Sequence, residues 1–432
     1  MKKFSLIPFI AAFMLLMISA PTATAGSFNK DKSGQQQDFI IIKGKVVDAE
    51  NGSPLVFATV AVKESNVAII TNIDGEFTLK LFPGSSKNLE VSFLGYKNKT
   101  ISIDDLKQGK NVIRMEAAPI PIKEVVVKPF NPEQIVATAI DRIPKNYETE
   151  PNLMTSFYRE TIKKNRTYVS IGEAVVEVFK APYANDVRFD GARIYKGRKS
   201  SDVEKMDTVL FKLQGGPVTA LQLDIAKNCE SVLTRDAMKY YNYSISGIVQ
   251  IDDKPHYVVD FVQKPDVNEP LFMGSLYIDM DSYAISEAEF GFNLANKELA
   301  SSIFIRKKPL GMEVTPEVAT YRTKYREQNG KWHFEYSRAE VKFKVNWRKK
   351  LFNTYYTTMS ELAVTDRTDQ EVIKFAGKDK IKYNDVFSEK VTAFTDPNYW
   401  GDYNVIEPDQ SIESAIRRLS RKLRFSDREA DK

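Results

Sequence analysis

Gly44-Lys-Val-Val-Asp48, Gly52-Ser-Pro54-Leu-Val-Phe-Ala58-Thr-Val-Ala-Val62, Thr71-Asn-Ile-Asp74-Gly75-Glu-Phe77-Thr-Leu79 and Leu89-Glu-Val-Ser-Phe-Leu-Gly95-Tyr96, closed by Asn111-Val-Ile-Arg-Met115, decide the fold of the region around which this chain is organised. Short β-branched runs recur roughly every 8–12 residues and are bounded by Gly, Pro, Asn or Asp, the pattern of a β-sandwich. Asp48 to Gly52 can bend a first hairpin, and Asp74-Gly75 supplies the positive-φ position of a tight turn. Gly44, Ala58 and Gly95 are small where strands must pass closely. Val60, Val62, Phe77, Leu79, Val91 and Phe93 alternate toward one face.

These residues resemble the carboxypeptidase-like regulatory domain, a transthyretin-like sandwich of seven strands. The family pattern falls on Gly44, Val46 and Asp48, then Gly52, Pro54 and Leu55, then Ala58 and Val60. It continues on Thr71, Gly75 and Phe77 and ends on Gly95 and Tyr96. The resemblance implies an adhesive or spacer module of secreted and envelope proteins, not a catalyst, over residues 39–116.

Upstream, Met1-Lys2-Lys3 precedes an apolar run from Phe4 to Ala20 and the sequence Ala23-Thr-Ala25. A charged start, an apolar centre and an Ala-x-Ala site predict a secretory signal over 1–25, cut after Ala25. The apolar run holds Pro8 and is shorter than the ~20 residues of a membrane span. No Cys follows it, which excludes lipid attachment of the bacterial lipoprotein kind. Residues 26–38 are polar, with a glutamine triplet, and read as a disordered lead-in. The mature chain of about 400 residues has room for two or three domains. Its charge is close to neutral once Lys2 and Lys3 are gone, which argues against a nucleic-acid partner. Cys229 is the only cysteine, so core burial rather than disulfides must hold an exported chain together. This composition fits the periplasm or outer membrane of a Gram-negative-type envelope.

Downstream, residues 117–130 read as a linker, with Pro119 and Pro121 suiting an extended chain. Val125 to Val127 could add an edge strand, and Glu124-Val-Val-Val127 resembles the segment after the regulatory domain of starch-utilisation-type TonB-dependent transporters. Asn131, Pro132 and Gln134 punctuate a helix start, Val136, Ala139, Ile140 and Ile143 share a face, and Pro144 is expected to stop it. Residues 131–395 predict a large curved antiparallel β domain with helical insertions at Pro217–Tyr241 and Leu294–Ile305, so the fold class is mainly β. Asn329-Gly330 is its strongest hairpin turn. Phe272-Met-Gly274-Ser-Leu-Tyr277-Ile-Asp279 through Ile285 resembles the hairpin of half-barrel periplasmic lipoprotein carriers. If the sheet is such a carrier, Val175, Phe179, Phe261, Phe290, Phe292 and Phe343 are the expected lining of a lipid-like ligand.

Residues 396–432 combine an aromatic turn, Tyr399-Trp400-Gly401-Asp402-Tyr403, with a basic helix from about Asp409. Ile412, Ala415, Ile416, Leu419 and Leu423 occupy one side and Arg417, Arg418, Arg421, Lys422 and Arg424 the rest. Such a helix either lies on an anionic membrane or docks on the sheet with its charges solvated.

Catalysis is tested by subtraction. A zinc peptidase needs a His-x-x-Glu pair and a distant His, yet Val259 and Tyr336 stand three residues after His256 and His333. Cys229 lies between Asn228 and Glu230, a poor setting for a thiolate. No phosphate loop or dinucleotide fingerprint occurs. The carboxylate pairs Glu287/Glu289 and Asp279/Asp281 are uninformative in a chain this rich in acids. No catalytic residue, metal or cofactor is expected. Three readings remain: a non-catalytic envelope protein binding a protein, glycan or lipid partner, a lipid carrier, and a hydrolase with an unrecognised carboxylate site.

Overall fold

The computed structural model describes residues 39–418 apart from 83, 108, 119–130, 202–212, 229–231, 306, 307, 309, 348–351 and 394–398. The expected signal, lead-in and Pro119/Pro121 linker, Cys229 and the helix beyond 418 lie outside these residues.

Seven strands form the N-terminal sandwich. β1 (Ile40–Asp48), β4 (Glu76–Leu81) and β7 (Lys110–Met115) make one sheet in the order β4-β1-β7, with β1 and β7 parallel. β2 (Thr59–Val62), β3 (Ala68–Ile70), β5 (Asn88–Ser92) and β6 (Lys99–Ser102) make the other in the order β3-β2-β5-β6. Val46, Val60, Val62, Phe77, Leu79 and Val91 fill the space between, as alternation predicts.

The signature residues hold one another. The Thr71 hydroxyl accepts from the Ala58 N–H and donates to the Leu55 carbonyl, both at 2.8 Å, and so ties the residue after β3 to the loop before β2. The Tyr96 hydroxyl donates to Asp48 Oδ2 at 2.5 Å, which holds the Asp48 carboxyl below its usual range. Burial, with Asp48 as hydrogen-bond partner, pushes the Tyr96 phenol up to about 12. A methyl group on Gly44 would lie 2.6 Å from the Phe77 ring. Gly75 has φ +74 and would bring a Cβ within 2.6 Å of the Val46 carbonyl. Its turn, in which Asn72 Oδ1 accepts from the Asp74 and Glu76 N–H groups, carries the chain from one sheet to the other instead of closing a hairpin.

The rest of the chain forms an eleven-stranded sheet. Its strands are β8 (Asn152–Lys164), β9 (Thr167–Lys180), β10 (Gly191–Ser201), β11 (Tyr241–Ile251), β12 (Lys254–Gln263), β13 (Phe272–Asp279), β14 (Ile285–Phe292), β15 (Met312–Gln328), β16 (Lys331–Trp347), β17 (Thr354–Thr368) and β18 (Thr392–Ala393). The order is β11-β12-β13-β14-β15-β16-β17-β8-β9-β10-β18, antiparallel except for the last pair. Asn329-Gly330 closes β15 onto β16 with φ of 51° and 74°, the twist that a two-residue hairpin requires. Asp252-Asp253 does the same between β11 and β12.

Three helices cover one face: α1 (Pro132–Asn146), α2 (Pro217–Leu221) and α3 (Lys297–Phe304). Asn131 caps α1 by accepting from the Glu133 and Gln134 N–H groups. Pro144 does not stop α1, which runs on to Asn146; a proline this close to a helix end removes one hydrogen bond without breaking the helix core. The expected helical insertion over Pro217–Tyr241 reduces to α2 and one short turn at Met238–Tyr240, and that over Leu294–Ile305 to α3. Ile135, Val136, Ala139 and Ile143 of α1, Ala220 and Leu221 of α2 and Phe304 of α3 join the strands in one core. The C-terminal helix is described over 410–418, where Ile412, Ala415 and Ile416 pack on Tyr168 and Ile171. The apolar side of this described part is therefore occupied by the sheet.

Candidate functional site: the seam between sandwich and sheet

The sandwich docks on the face of the large sheet opposite the helices. β2 is buried along its whole length because Val60 and Val62 face the sandwich core while Thr59 and Ala61 face the sheet. Thr59 donates to Glu335 Oε2 at 3.1 Å, and Lys324 Nζ donates to the Phe57 carbonyl at 3.0 Å and to Thr59 Oγ1 at 3.2 Å. Arg326 and Gln328 reach the carbonyls of Asn66 and Ser65, both at 2.9 Å. Gly95 N–H donates to the Gln250 carbonyl at 2.8 Å, so the last signature pair also stands at this seam.

Phe57 anchors the contact. It is a bulky residue at φ +66, a conformation that persists only when its surroundings impose it. Its ring lies 5.6 Å from that of Tyr336, and the guanidinium carbons of Arg322 and Arg338 lie 5.3 and 5.2 Å from its centre.

Behind Phe57 the sheet carries a buried charge network. Arg159 contacts Glu173 at 2.8 Å and Glu361 at 3.2 Å and donates to the Ile406 carbonyl at 2.8 Å. Arg198 pairs with Glu173 at 2.9 Å and Arg338 with Glu361 at 3.3 Å, and the Tyr336 hydroxyl donates to Glu361 at 2.9 Å. Burial alone would depress the Arg159 guanidinium; the Glu173 and Glu361 carboxylates outweigh it and raise its affinity for the proton. Burial pushes Glu287 up against the pull of Lys324 and Arg322.

Among the described residues, two hollows of several hundred Å³ open along the seam. One, of about 400 Å³, lies beside Phe57, Arg322, Arg338, Glu289, Glu340 and the bare backbone at Gly274 and Gly291. Arg322 is paired with Glu289 and Arg338 with Glu340, so guanidinium and carboxylate groups alternate beside an aromatic ring. The other, of about 360 Å³, runs between β2, the Glu64–Asn66 turn and the Asn329 and Asp252 turns. Planar ionic groups next to an aromatic surface suit hydrogen bonding and stacking with a polar partner.

The six residues expected to line a ligand do not share a surface. Phe261, Phe290, Phe292 and Phe343 belong to the helix-side core, whereas Val175 packs on the sandwich side and Phe179 against Ala181 and Phe375. Strand alternation tells which residues of one strand share a face; it does not tell which faces of separate strands coincide. All six are buried by the chain itself. Phe304 of α3 meets Phe292 and Phe343 edge-on at 5.4 and 6.1 Å.

His256 and His333 are buried in β12 and β16. His256 Nδ1 lies 2.9 Å from the Lys254 carbonyl, and burial lowers its affinity for a proton. Burial and the Arg367 charge bring His333 down to about 3. Among the described residues no three His, Cys, Asp or Glu side chains converge to hold a metal ion. The helix side holds a second buried charge cluster that sequence reasoning missed. Lys180 contacts Asp224 at 2.5 Å and Asp190 at 2.8 Å, Lys227 contacts Asp190 at 2.5 Å, and the Tyr183 and Tyr325 hydroxyls donate to Asp224. The polar residues of the seam, Arg159, Arg322, Arg338 and Glu361, were missed as well. Their signal was an ionic residue at alternate positions of long strands, which also marks an ordinary solvated face.

Residues 42–127 match the family model of the CarboxypepD_reg-like domain. The sandwich is thus a carboxypeptidase-regulatory-like domain. No curated relative matches the chain. Among solved structures, a putative outer membrane lipoprotein-sorting protein domain from Vibrio parahaemolyticus is 8% identical with a TM-score of 0.25, covering 56% of this chain and 95% of that one. A DUF1329 family protein from Desulfovibrio piger is 10% identical with a TM-score of 0.25 and the same coverage. Lipovitellin, described in terms of lipid–protein interactions, is 10% identical with a TM-score of 0.25 over 55% of this chain and 27% of its own. Likeness this distant carries no functional argument. Among the described residues no helix is long and apolar enough to cross a membrane.

Proposed function

We propose that this is an exported, non-catalytic binding or scaffolding protein of the periplasm or outer membrane, with the seam between sandwich and sheet as its partner-binding site. One observation carries the reading: Phe261, Phe290, Phe292 and Phe343 lie in the core that the chain's own helices join, while two hollows lined by described residues open at the seam. The seam's paired guanidinium and carboxylate groups around Phe57 favour a polar protein or glycan partner over a lipid chain. The regulatory-like domain is a module without catalytic machinery, which agrees with this role.

Native mass spectrometry of protein purified from its envelope tests the reading. The expected mass is that of the chain from Gly26 without a lipid adduct. A stoichiometric lipid adduct, lost when Phe290 and Phe292 are made Asp, would overturn it in favour of a carrier, because a buried acyl chain gains about 0.8 kcal/mol per methylene and survives purification.

A further inference from the structure

One end of the large sheet combines bare apolar tips with cations. Met312 at the start of β15 lies opposite Trp347 at the end of β16, and Val345 of β16 lies opposite Thr354 at the start of β17. Tyr356 of β17 lies opposite Lys164 at the end of β8, which lies opposite Thr167 at the start of β9. Five adjacent strands therefore begin or end here, a front of roughly 20 Å at ordinary strand spacing. Leu310 stands two residues before β15, fully exposed, and Phe352 two residues before β17, 84% exposed. Singly exposed apolar residues are ordinary, but Leu310 and Phe352 stand at the same rim on either side of β16, and neighbouring exposed apolar groups mark a contact surface.

Among the described residues of this end, cations outnumber carboxylates. Lys163, Lys164 and Arg166 stand at the β8–β9 turn, Lys344 near the end of β16, and Lys308 beside Leu310. The C-terminal helix is fastened to the same end, because Arg418 donates to the Tyr168 carbonyl at 2.7 Å, and it brings Arg417. Against these stand Glu313, Glu317 and Glu413. Exposed Phe and Leu among cations match the layered chemistry of an anionic bilayer surface, phosphates above an acyl boundary. An acidic protein would satisfy the cations alone. Over its described part the helix does not supply the apolar part, since Ile412 and Ala415 are already packed on Tyr168 and Ile171.

We propose that this end of the sheet is a peripheral docking surface for an anionic phospholipid bilayer. Phe352 and Leu310 enter the headgroup boundary, and the β8–β9 turn and the C-terminal helix contact headgroup phosphates. This surface is separate from the seam and independent of what the seam binds.

Cosedimentation of the mature protein with phosphatidylcholine vesicles, with and without phosphatidylglycerol, tests it. Binding is expected only with phosphatidylglycerol and weakens as salt rises. Replacing Lys163, Lys164 and Arg166 by Glu should reduce binding by well over a hundredfold, since losing each cation near an anionic surface costs roughly fivefold and reversing it costs more. Reversing Lys43 and Lys45 of β1 in the same way should leave it within about twofold of the unmodified protein. In Phe352→Trp, brominated acyl chains should quench the tryptophan at position 352. Equal binding to neutral vesicles, no binding at low salt, equal loss in the β1 variant, or an unquenched tryptophan would each overturn the proposal. Thermal unfolding of each variant separates loss of the surface from loss of the fold.

Discussion

The two faces of the eleven-stranded sheet come from the same strands and are covered in different ways. On the helix side, Phe261, Phe290, Phe292, Phe304 and Phe343 belong to one apolar core, whose buried ionic groups include the Lys180–Asp224–Lys227 cluster. On the sandwich side, Arg159, Glu173, Arg338 and Glu361 form a chain of buried ion pairs, with apolar contacts confined to places such as Phe57 on Tyr336 and Phe157 on Trp400. A face covered by short helices of the same domain can be packed side chain into side chain. A face covered by a second folded module must register two preformed surfaces, and directional ionic hydrogen bonds do that better than apolar contact. The difference separates a face packed side chain into side chain from a face held in register by ionic contacts.

The largest expected effect lies in the charge network. Arg159→Ala leaves Glu173 and Glu361 buried without their shared partner and should lower stability by about 3–5 kcal/mol in urea unfolding. Combining Arg159→Met with Glu173→Gln and Glu361→Gln should recover most of that loss. A triple variant no better than the single would show that the pairs stabilise the seam outright instead of fixing its register.

Next is the apolar face. Phe304→Ala removes a fully buried ring that touches Phe292 and Phe343 and should cost about 3 kcal/mol or more. A cost under about 1 kcal/mol would mean that α3 is not packed as a core element.

Phe57 tests the seam against its own strain. Phe57→Ala loses the ring contacts and keeps the positive φ, whereas Phe57→Gly loses the same contacts and releases the strain. The glycine variant should therefore be the more stable of the two by about 1 kcal/mol, with both below the unmodified protein.

A smaller effect is titratable. Burial pushes Glu160 up to about 8, opposed by its Tyr158 hydrogen bond and by Lys199. A carboxyl with a folded-state value above its unfolded one binds more protons when folded, so its contribution is fully present below about 4.5 and is lost as pH rises toward 8. Urea midpoints between pH 5 and 8 should fall with a slope that Glu160→Gln removes. The smallest effect belongs to the exposed Lys87–Asp104 pair, where Lys87→Ala should leave the urea midpoint unchanged.

The sequence by itself determined the sandwich almost residue by residue. Its signature positions act through local turns and through pairs such as Asp48 with Tyr96 and Ala58 with Thr71, in which the side chain that makes the bond is also the one that spells the motif. It also determined the meander, since Asn329-Gly330 and alternating strands are short-range signals. What only the tertiary structure decided is how the strand faces meet. Bulges shift the register: β16 has an extra residue at Glu335, so Phe334 faces the helices and Tyr336 faces the sandwich although they stand two apart. The ligand-lining set was drawn from single-strand alternation, and Val175 and Phe179 fell on the far side for that reason. The seam lay beyond reach as well, because Phe57 meets Arg322, Tyr336 and Arg338 across more than two hundred residues of chain, and no local pattern encodes which preformed surface a folded module will cover.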